Sequence, residues 1–394
     1  MNKLSFASAT SLLTVLAGIA ACGDSDSGGG SPDARPRSDA PAQDASPTDA
    51  PATPAPSAVY ILSNEADANR IVVFSRAADG TLTPESAYAT GGKGAAAGLG
   101  SQGALVFDDD SERMFAVNAG DNSLSMLTLA SDGALTMRSH VPAGGVRPVS
   151  ITVHGDVVYV VNAGSPSVAA NISGFRITAN ALVAIPGSVR PLSMAQPGPA
   201  QIEFSPAGTH LIVTEKMTNK IATYAVTDGV AAAPVVRASV GMTPFGFAFS
   251  DAGHLLVSEA FGGGPGLGAT TSYAIGAGGA LTPVSESVAS GQSAPCWVVF
   301  AGGHAYVTNT ASNTVTSYTV AASGALTLDD PNGSAATSGM GPIDADVSDD
   351  GHQLYVLDSG DDHLSIYDIA ADGGLTRKPD VSGVSVNGVG LVAR

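Results

Sequence analysis

Residues 305–309, with the sequence AYVTN, decide the fold, because the rest of the chain repeats this unit. An apolar, strand-like run ends on one polar residue just before a turn, and seven copies of it are present. The polar residues that end the copies are Asn64, Asn118, Asn162, Glu215, Glu259, Asn309 and Asp358. Successive copies lie 44 to 54 residues apart, a period typical of solenoids, arrays and propellers.

Each copy divides into four short strands separated by turns. In the sixth copy we predict strands at 296–300, 305–309, 314–320 and 325–328. The turn before the last strand carries Asp-Gly at 79–80, 132–133, 228–229 and 372–373, a signal for a hairpin. Four-stranded antiparallel sheets in series favour propeller blades over helical repeats.

The two ends of the folded part complete one another. Residues 59–63 resemble the second strand of a blade with no first strand before it, and residues 386–392 resemble a first strand with no second strand after it. Pairing the two strands closes a ring and removes the sheet edge that an open array would expose. The sequence therefore predicts an all-β, seven-bladed propeller whose C-terminal strand joins the N-terminal blade.

The first 21 residues are predicted to be a secretion signal rather than part of the fold. Their apolar run, residues 12–21, is far shorter than the roughly 20 residues that a spanning helix needs. Residues 19–22, IAAC, resemble a bacterial lipobox, in which the cysteine becomes the first residue and carries lipid. We therefore expect export and a lipid anchor on Cys22, on the periplasmic or cell-surface side of a bacterial membrane.

Residues 22–57 are predicted to form a hydrated spacer. They consist mainly of Gly, Ser, Asp, Pro and Ala and contain no aromatic residue, so they cannot bury a core. The propeller is then expected over residues 58–394. Cys296 is its only cysteine, so no disulfide can form within the chain if Cys22 is acylated.

The charge of the chain excludes one class of partner. The net charge is −18, and acidic residues outnumber basic ones in the folded part as well. An acidic surface repels phosphate groups, so nucleic acid is not expected to bind. We expect a monomer.

Three motifs resemble a known family: YVTN at 306–309, SPAG at 205–208 and SDGALT at 131–136. They look like the lactonase-type seven-bladed propellers, which include 6-phosphogluconolactonase and share repeats with surface-layer propellers. The resemblance covers the whole folded part and implies hydrolysis of a lactone as one function. In that family Pro-His or Pro-Arg-His often begins the innermost strand. The prolines at 148, 199, 244, 295 and 342 are not followed by histidine, which counts against this activity.

Long loops are predicted to cluster on one face, at the mouth of the central channel. They are residues 91–103, 163–174, 188–198 and 260–269. A ligand is therefore expected at this face. Five histidines lie in or beside turns of the opposite face, where we expect them to solvate turns: His154, His210, His254, His304 and His352.

The candidate site residues come from three observations. Asn and Asp at the ends of the repeats can cap turns, but Glu does so poorly, so Glu215 and Glu259 are exceptions. With Asp344 they can act as a carboxylate pair, or they can bind Ca²⁺ together with neighbouring Asn oxygens. Arg147 can meet an anionic substrate. The catalytic candidates are Glu215, Glu259 and Arg147, and the substrate-binding candidates are Trp297, Asp344, Gln201 and His363.

Three functions remain open. The first is a membrane-anchored module that binds a small molecule or a protein at the loop-rich face. The second is a hydrolase that opens a sugar lactone or another lactone, with water as the nucleophile. The third is a structural protein of the cell envelope.

Overall fold

The computed structural model describes residues 55–394, which form 32 β-strands in seven antiparallel sheets. The innermost strands of the sheets contact one another around a central channel. The predicted seven-bladed, all-β propeller is confirmed. The predicted signal peptide, Cys22 and all of the spacer except its last three residues lie outside the described residues.

The strands of each blade are given from the channel outward. Blade 1 contains Val389–Ala393, Ala58–Leu62, Arg70–Arg76 and Leu82–Ala89. Blade 2 contains Leu105–Asp108, Arg113–Asn118, Ser123–Leu129 and Leu135–Pro142. Blade 3 contains Pro148–His154, Val157–Asn162, Asn171–Thr178 and the outer segments Ala181–Ala184 and Arg190–Pro191. Blade 4 contains Pro199–Phe204, His210–Glu215, Lys220–Thr227 and the outer segments Val230–Ala231 and Val235–Ala238.

The remaining blades follow the same order. Blade 5 contains Pro244–Phe249, Leu255–Glu259, Ala269–Ile275 and Leu281–Ala289. Blade 6 contains Pro295–Ala301, His304–Asn309, Thr314–Val320 and the outer segments Leu326–Leu328 and Ala336–Thr337. Blade 7 contains Pro342–Val347, Gln353–Asp358, His363–Ile369 and the outer segments Leu375–Arg377 and Val381–Ser382. Two short 3₁₀ turns occur at Phe261–Gly263 and Ala277–Gly279.

The second strand of each blade explains the repeated apolar runs. In His304–Asn309 every residue after the first is buried, and all five residues of Ala58–Leu62 are buried. A strand that packs against a neighbouring blade on each face must be apolar at successive positions rather than at alternate ones. This is why AYVTN and its copies lack the alternation of a half-exposed strand.

The Asp-Gly hairpins join neighbouring blades. The hydroxyl of Tyr306 in blade 6 donates to the carbonyl of Gly373 in blade 7 at 3.1 Å, and Tyr355 in blade 7 donates to Gly80 in blade 1 at 2.9 Å. Both glycines have positive φ angles, which L-residues rarely adopt. A Cβ on Gly373 would also lie 2.3 Å from the His304 ring.

The turn histidines therefore have a different role from the one expected. His210, His254 and His304 each lie against a hairpin glycine of the next blade. The expectation that they solvate turns is wrong for these three residues, because their rings fill the space between blades.

The C-terminal strand closes the ring, as predicted. Val59 pairs with Ala393 and Tyr60 pairs with Val392, and the Arg394 N–H donates to the Ala58 carbonyl at 2.9 Å. The Arg394 side chain then crosses to blade 2. Its guanidinium donates to Glu112 at 3.1 Å and lies 4.3 Å from the centre of the Phe107 ring.

We predict that Arg394→Ala lowers the free energy of unfolding by about 1–2 kcal/mol, because it removes a shielded ion pair and a ring contact at the closure. The Arg394 side chain is only 13% exposed, whereas Arg138 is exposed and donates to Thr128 within its own blade. Arg138→Ala is therefore the control, with a loss of at most about 0.5 kcal/mol. Urea unfolding measures both losses, and equal losses would contradict the role of Arg394 in closure.

Candidate functional site at the channel mouth

The loop between blades 1 and 2 crosses the central channel. The Gln102 side chain donates to the Val298 carbonyl at 2.7 Å and accepts from the Val298 N–H at 3.0 Å, so it binds the innermost strand of blade 6. Its backbone N–H donates to Ala200 in blade 4 at 2.8 Å. Residues 98–103, which we call the plug, thus span the channel and separate two axial cavities.

The upper cavity, which we call the mouth cavity, has a volume of about 400 Å³. It opens on the face that carries the long loops, at the start of the innermost strands. Its apolar lining consists of Leu99, Phe245, Trp297, Ile343, Val386 and Val389, and its polar lining includes Cys296, Asp344, Thr310, Ser359 and Asn387. An apolar cavity of this size with a few polar groups is typical of a small-molecule site.

Trp297 joins the wall of the mouth cavity to its floor. The indole N–H donates to the carbonyl of Ser101 in the plug at 3.0 Å. The ring packs against Phe245 with 5.0 Å between ring centres. The structure therefore places Trp297, predicted to bind a substrate, at a ligand-sized cavity in a fixed orientation.

Lys216 binds the plug from blade 4, whereas Trp297 binds it from blade 6. This lysine was not among the candidate site residues selected from the sequence. Its Nζ donates to the Gly100 carbonyl and lies 3.7 Å from the centre of the Phe245 ring. Burial, together with the positive charge of Arg147, lowers the pKa of Lys216 well below its ordinary value. Burial therefore disfavours the charged form of this amine.

Two further polar groups in the mouth cavity also favour their uncharged forms. Burial raises the pKa of the Cys296 thiol to about 11, so the thiolate is scarce near neutral pH. Burial raises the pKa of Asp344 well above its ordinary value. Asp344 is 3% exposed and accepts from the Ala345 N–H at 3.0 Å. As a neutral acid, it can donate a hydrogen bond to a ligand.

The lower cavity, below the plug, is polar and has a volume of about 460 Å³. Its lining includes Glu203, Asp346 and Gln201. Gln201 donates to Glu203 at 2.6 Å and to the Phe247 carbonyl at 2.9 Å, so it ties blade 4 to blade 5. This substrate-binding candidate therefore lies on the far side of the plug from Trp297.

Glu215 and Glu259 lie inside their blades and line neither axial cavity. Glu259 accepts from the Gly241 N–H at 2.7 Å and from the Thr271 hydroxyl at 2.6 Å. Glu215 accepts from Ser193 and Thr218. Glutamate can therefore tie loops together here as Asn does in other blades, and the structure does not bring the two carboxylates together. Their catalytic role stays a prediction.

Arg147 and His363 also lie outside the lining of the mouth cavity. Arg147 precedes Pro148 and has a φ of 58°, and the equivalent residues Gly198, Thr243, Ala294 and Gly341 also have positive φ angles. Its buried Nε has no hydrogen-bond partner among the described residues. His363 begins the third strand of blade 7, away from the axis, and lies 4.0 Å from Asp361.

Neither a metal site nor a membrane span is found in the described part of the chain. Within residues 55–394 no three His, Cys, Asp or Glu side chains are grouped to hold a metal ion, so no calcium site is assigned. Across the same residues, no helix combines the length and the hydrophobicity needed to span a membrane.

The plug and Lys216 are the functional features that the sequence interpretation missed. The loop sequence GGKGAAAGLGSQG, residues 91–103, does contain a signal, since it is rich in Gly and Ala and lacks the apolar pattern of a strand. Lys216 follows directly after the end of a repeat, in the loop that joins the second and third strands of blade 4.

We predict that the stability falls as the pH rises from about 4 to about 8 and then levels off. Burial raises the pKa of Asp346 to about 7 and that of Glu203 to about 8. Because the unfolded carboxyls titrate near 4, the folded state binds the extra protons above pH 4, and this contribution is lost as the pH passes the folded pKa values. At pH 9 the variant Asp346→Asn with Glu203→Gln should melt about 2–4 °C above the wild type.

Thermal unfolding between pH 5 and pH 9 measures this effect. Asp110→Asn, at an exposed carboxylate, is the control and should keep the wild-type pH profile. An unchanged slope in the double variant would show that the axial carboxyls do not set the pH dependence.

The comparisons with known proteins agree with this architecture. Residues 266–387 match the family described as "Lactonase, 7-bladed beta-propeller". A comparison with curated protein sequences finds no significant match.

Three solved structures illustrate the likeness in fold. A proposed 6-phosphogluconolactonase from Bacteroides fragilis is 18% identical, with a TM-score of 0.67 over 89% of this chain and 100% of that one. A protein from Lactobacillus plantarum is 17% identical, with a TM-score of 0.68 over 86% and 99%. A periplasmic gluconolactonase from Pseudomonas aeruginosa is 17% identical, with a TM-score of 0.63 over 86% and 98%.

Identities this low establish the fold alone. Residues 266–387 match the lactonase-type family, and the described residues fold as a seven-bladed β-propeller.

Proposed function

We propose that the protein is an exported, lipid-anchored propeller that binds a small, uncharged, largely apolar ligand in the mouth cavity. The observation that carries the proposal is a ligand-sized apolar cavity, closed below by the plug and walled by Trp297 and Phe245. A preformed cavity with two fixed aromatic rings lowers the entropy cost of binding.

The preference for an uncharged ligand follows from the polar groups. Asp344 and Cys296 favour their neutral forms at neutral pH, and burial disfavours the charged form of Lys216. A charged ligand would lose its hydration without gaining an ion pair in the cavity. An uncharged ring with one hydrogen-bond acceptor gains apolar contacts and a bond from the Asp344 carboxyl.

The described end of the N-terminal segment lies on the face opposite the mouth cavity, so it does not cover that cavity. Pro56 packs beside Gly133, in an outer hairpin of blade 2 on the face opposite the mouth. A tether that joins this face leaves the loop-rich face free. Protein binding at that face and a structural role in the envelope are the other two roles open to such a domain.

Lactone hydrolysis is the second candidate function, favoured by the family match over residues 266–387 and by the likeness in fold to the periplasmic gluconolactonase of Pseudomonas aeruginosa. A lactone is an uncharged cyclic ester, so it also meets the requirement of the cavity. Hydrolysis needs a base to activate water. The mouth cavity offers only a carboxyl that favours its protonated form, and this favours binding over turnover.

Trp297 provides the readout for ligand binding, since it is the only tryptophan in the chain. We predict that aryl lactones change its fluorescence without being hydrolysed. Gly98 lines the cavity, and a Cβ there meets no atom within 4 Å, so Gly98→Phe should fill the cavity without strain. It should weaken binding at least about tenfold.

The control is Gly98→Ala, which adds one methyl group and should bind as the wild type does. Failure of every ligand in the panel to alter the fluorescence would refute binding in the mouth cavity. Hydrolysis above the buffer rate that Gly98→Phe abolishes would establish the enzyme instead.

The lipid anchor is tested separately at Cys22. We predict that the wild-type protein sediments with the membrane fraction of the producing bacterium and that Cys22→Ala does not, because the substitution removes the acylation site. Mass spectrometry of the N-terminal peptide provides the second measurement. An unmodified Cys22 in the mature wild-type protein would contradict the anchor.

A further inference from the structure

The exposed apolar side chains are unevenly distributed. Of the 14 large apolar residues that the described part of the chain exposes, eight lie between residues 183 and 242, in blades 3 and 4 and the loops beside them. Three of these are methionines at the tips of loops on the mouth face: Met194, Met217 and Met242, each about half exposed. Flexible thioether side chains suit surfaces that contact apolar partners.

Three basic residues without carboxylate partners lie in blades 3 and 4, the blades that these methionine loops adjoin. Arg190 and Arg237 lie in the outer segments of blades 3 and 4, and Lys220 begins the third strand of blade 4. None of the three forms an ion pair with another described residue. In a chain with a net charge of −18, unpaired basic groups beside exposed methionines are a local reversal of charge. We call these six residues the basic methionine patch.

Buried polar contacts hold the three loops side by side. Glu215 accepts from the Ser193 N–H at 3.2 Å and from the Thr218 hydroxyl, which joins the loop of Met194 to the loop of Met217. The Asn219 side chain accepts from the Thr243 N–H at 2.7 Å, which adds the loop of Met242. The patch is thus a built surface, and Glu215 is one of the residues that position it.

We propose that the basic methionine patch docks on an anionic lipid surface. Basic groups near the surface are attracted to anionic headgroups, while apolar side chains at loop tips can enter the headgroup boundary. The charge of the patch is complementary to such a surface, whereas the rest of the acidic protein is repelled by it. At physiological salt, charges beyond about 8 Å are screened. The local charge of the patch, rather than the net charge of the protein, therefore determines whether this face is attracted to an anionic surface.

The shape of the patch favours lipid over a peptide. Its methionines occupy three separate loop tips, and none of them lines the axial cavities described above. Projecting tips suit a planar surface, whereas a peptide is usually bound along a groove. Lipid is therefore the proposed partner, and binding of an acidic peptide instead of lipid is one possible result of the experiment below. The lipid anchor is not required, since the test uses the propeller alone.

The experiment is co-sedimentation of residues 55–394, whose ring closes on itself, with vesicles of phosphatidylcholine alone or mixed with phosphatidylglycerol. We expect binding to the mixed vesicles only, and weaker binding as salt is raised. Replacing all three methionines by serine, or changing Arg190, Lys220 and Arg237 to glutamine, should weaken binding at least about tenfold. Unchanged melting temperatures show that these variants are folded.

The matched controls are Met137→Ser, at an exposed methionine in the fourth strand of blade 2 and outside the patch, and Arg138→Gln. They should bind as the wild type does. The proposal is overturned if the mixed vesicles are not bound, or if control and patch variants lose binding equally. It is also overturned if the patch substitutions abolish binding of an acidic amphipathic peptide and leave vesicle binding intact.

Discussion

The pairing of the last strand with the first holds the propeller together. Each blade packs mainly on its neighbours, so seven blades leave two exposed faces unless the ring closes. Residues 389–393 provide the closure by completing blade 1, and Arg394 extends it to blade 2 through Glu112 and Phe107. The central channel, the plug and both axial cavities exist only because this ring is closed.

Much of the fold could be predicted from the sequence, because its determinants are local and repeated. The second strand of every blade is buried on both faces, so each copy of AYVTN is a continuous apolar run. The hairpins require glycine at positive φ, and Asp-Gly marks them. The turn histidines were misjudged because their partners lie in the next blade, and no pattern within one repeat contains that information.

The site was predictable only in part, because several of its contacts join residues of different blades and no pattern within one repeat encodes them. Trp297 and Asp344 begin innermost strands, so their place at the channel follows from the topology. The plug has no periodicity, and its contacts with blade 6 join residues 196 positions apart in the chain. Glu215 and Glu259 attracted interest as exceptions among capping residues, yet their carboxylates bind loops much as the asparagines do.

The plug also couples the mouth cavity to the mechanics of the ring. The plug leads from blade 1 to blade 2, and the C-terminal strand and Arg394 connect the same two blades. Gln102 in the plug also binds blade 6 across the channel. Any opening of the closure therefore moves the floor on which a ligand rests. By thermodynamic linkage, a molecule bound above the plug must resist the opening of the ring. Ligand binding in the mouth cavity is therefore expected to stabilise the pairing that closes the ring.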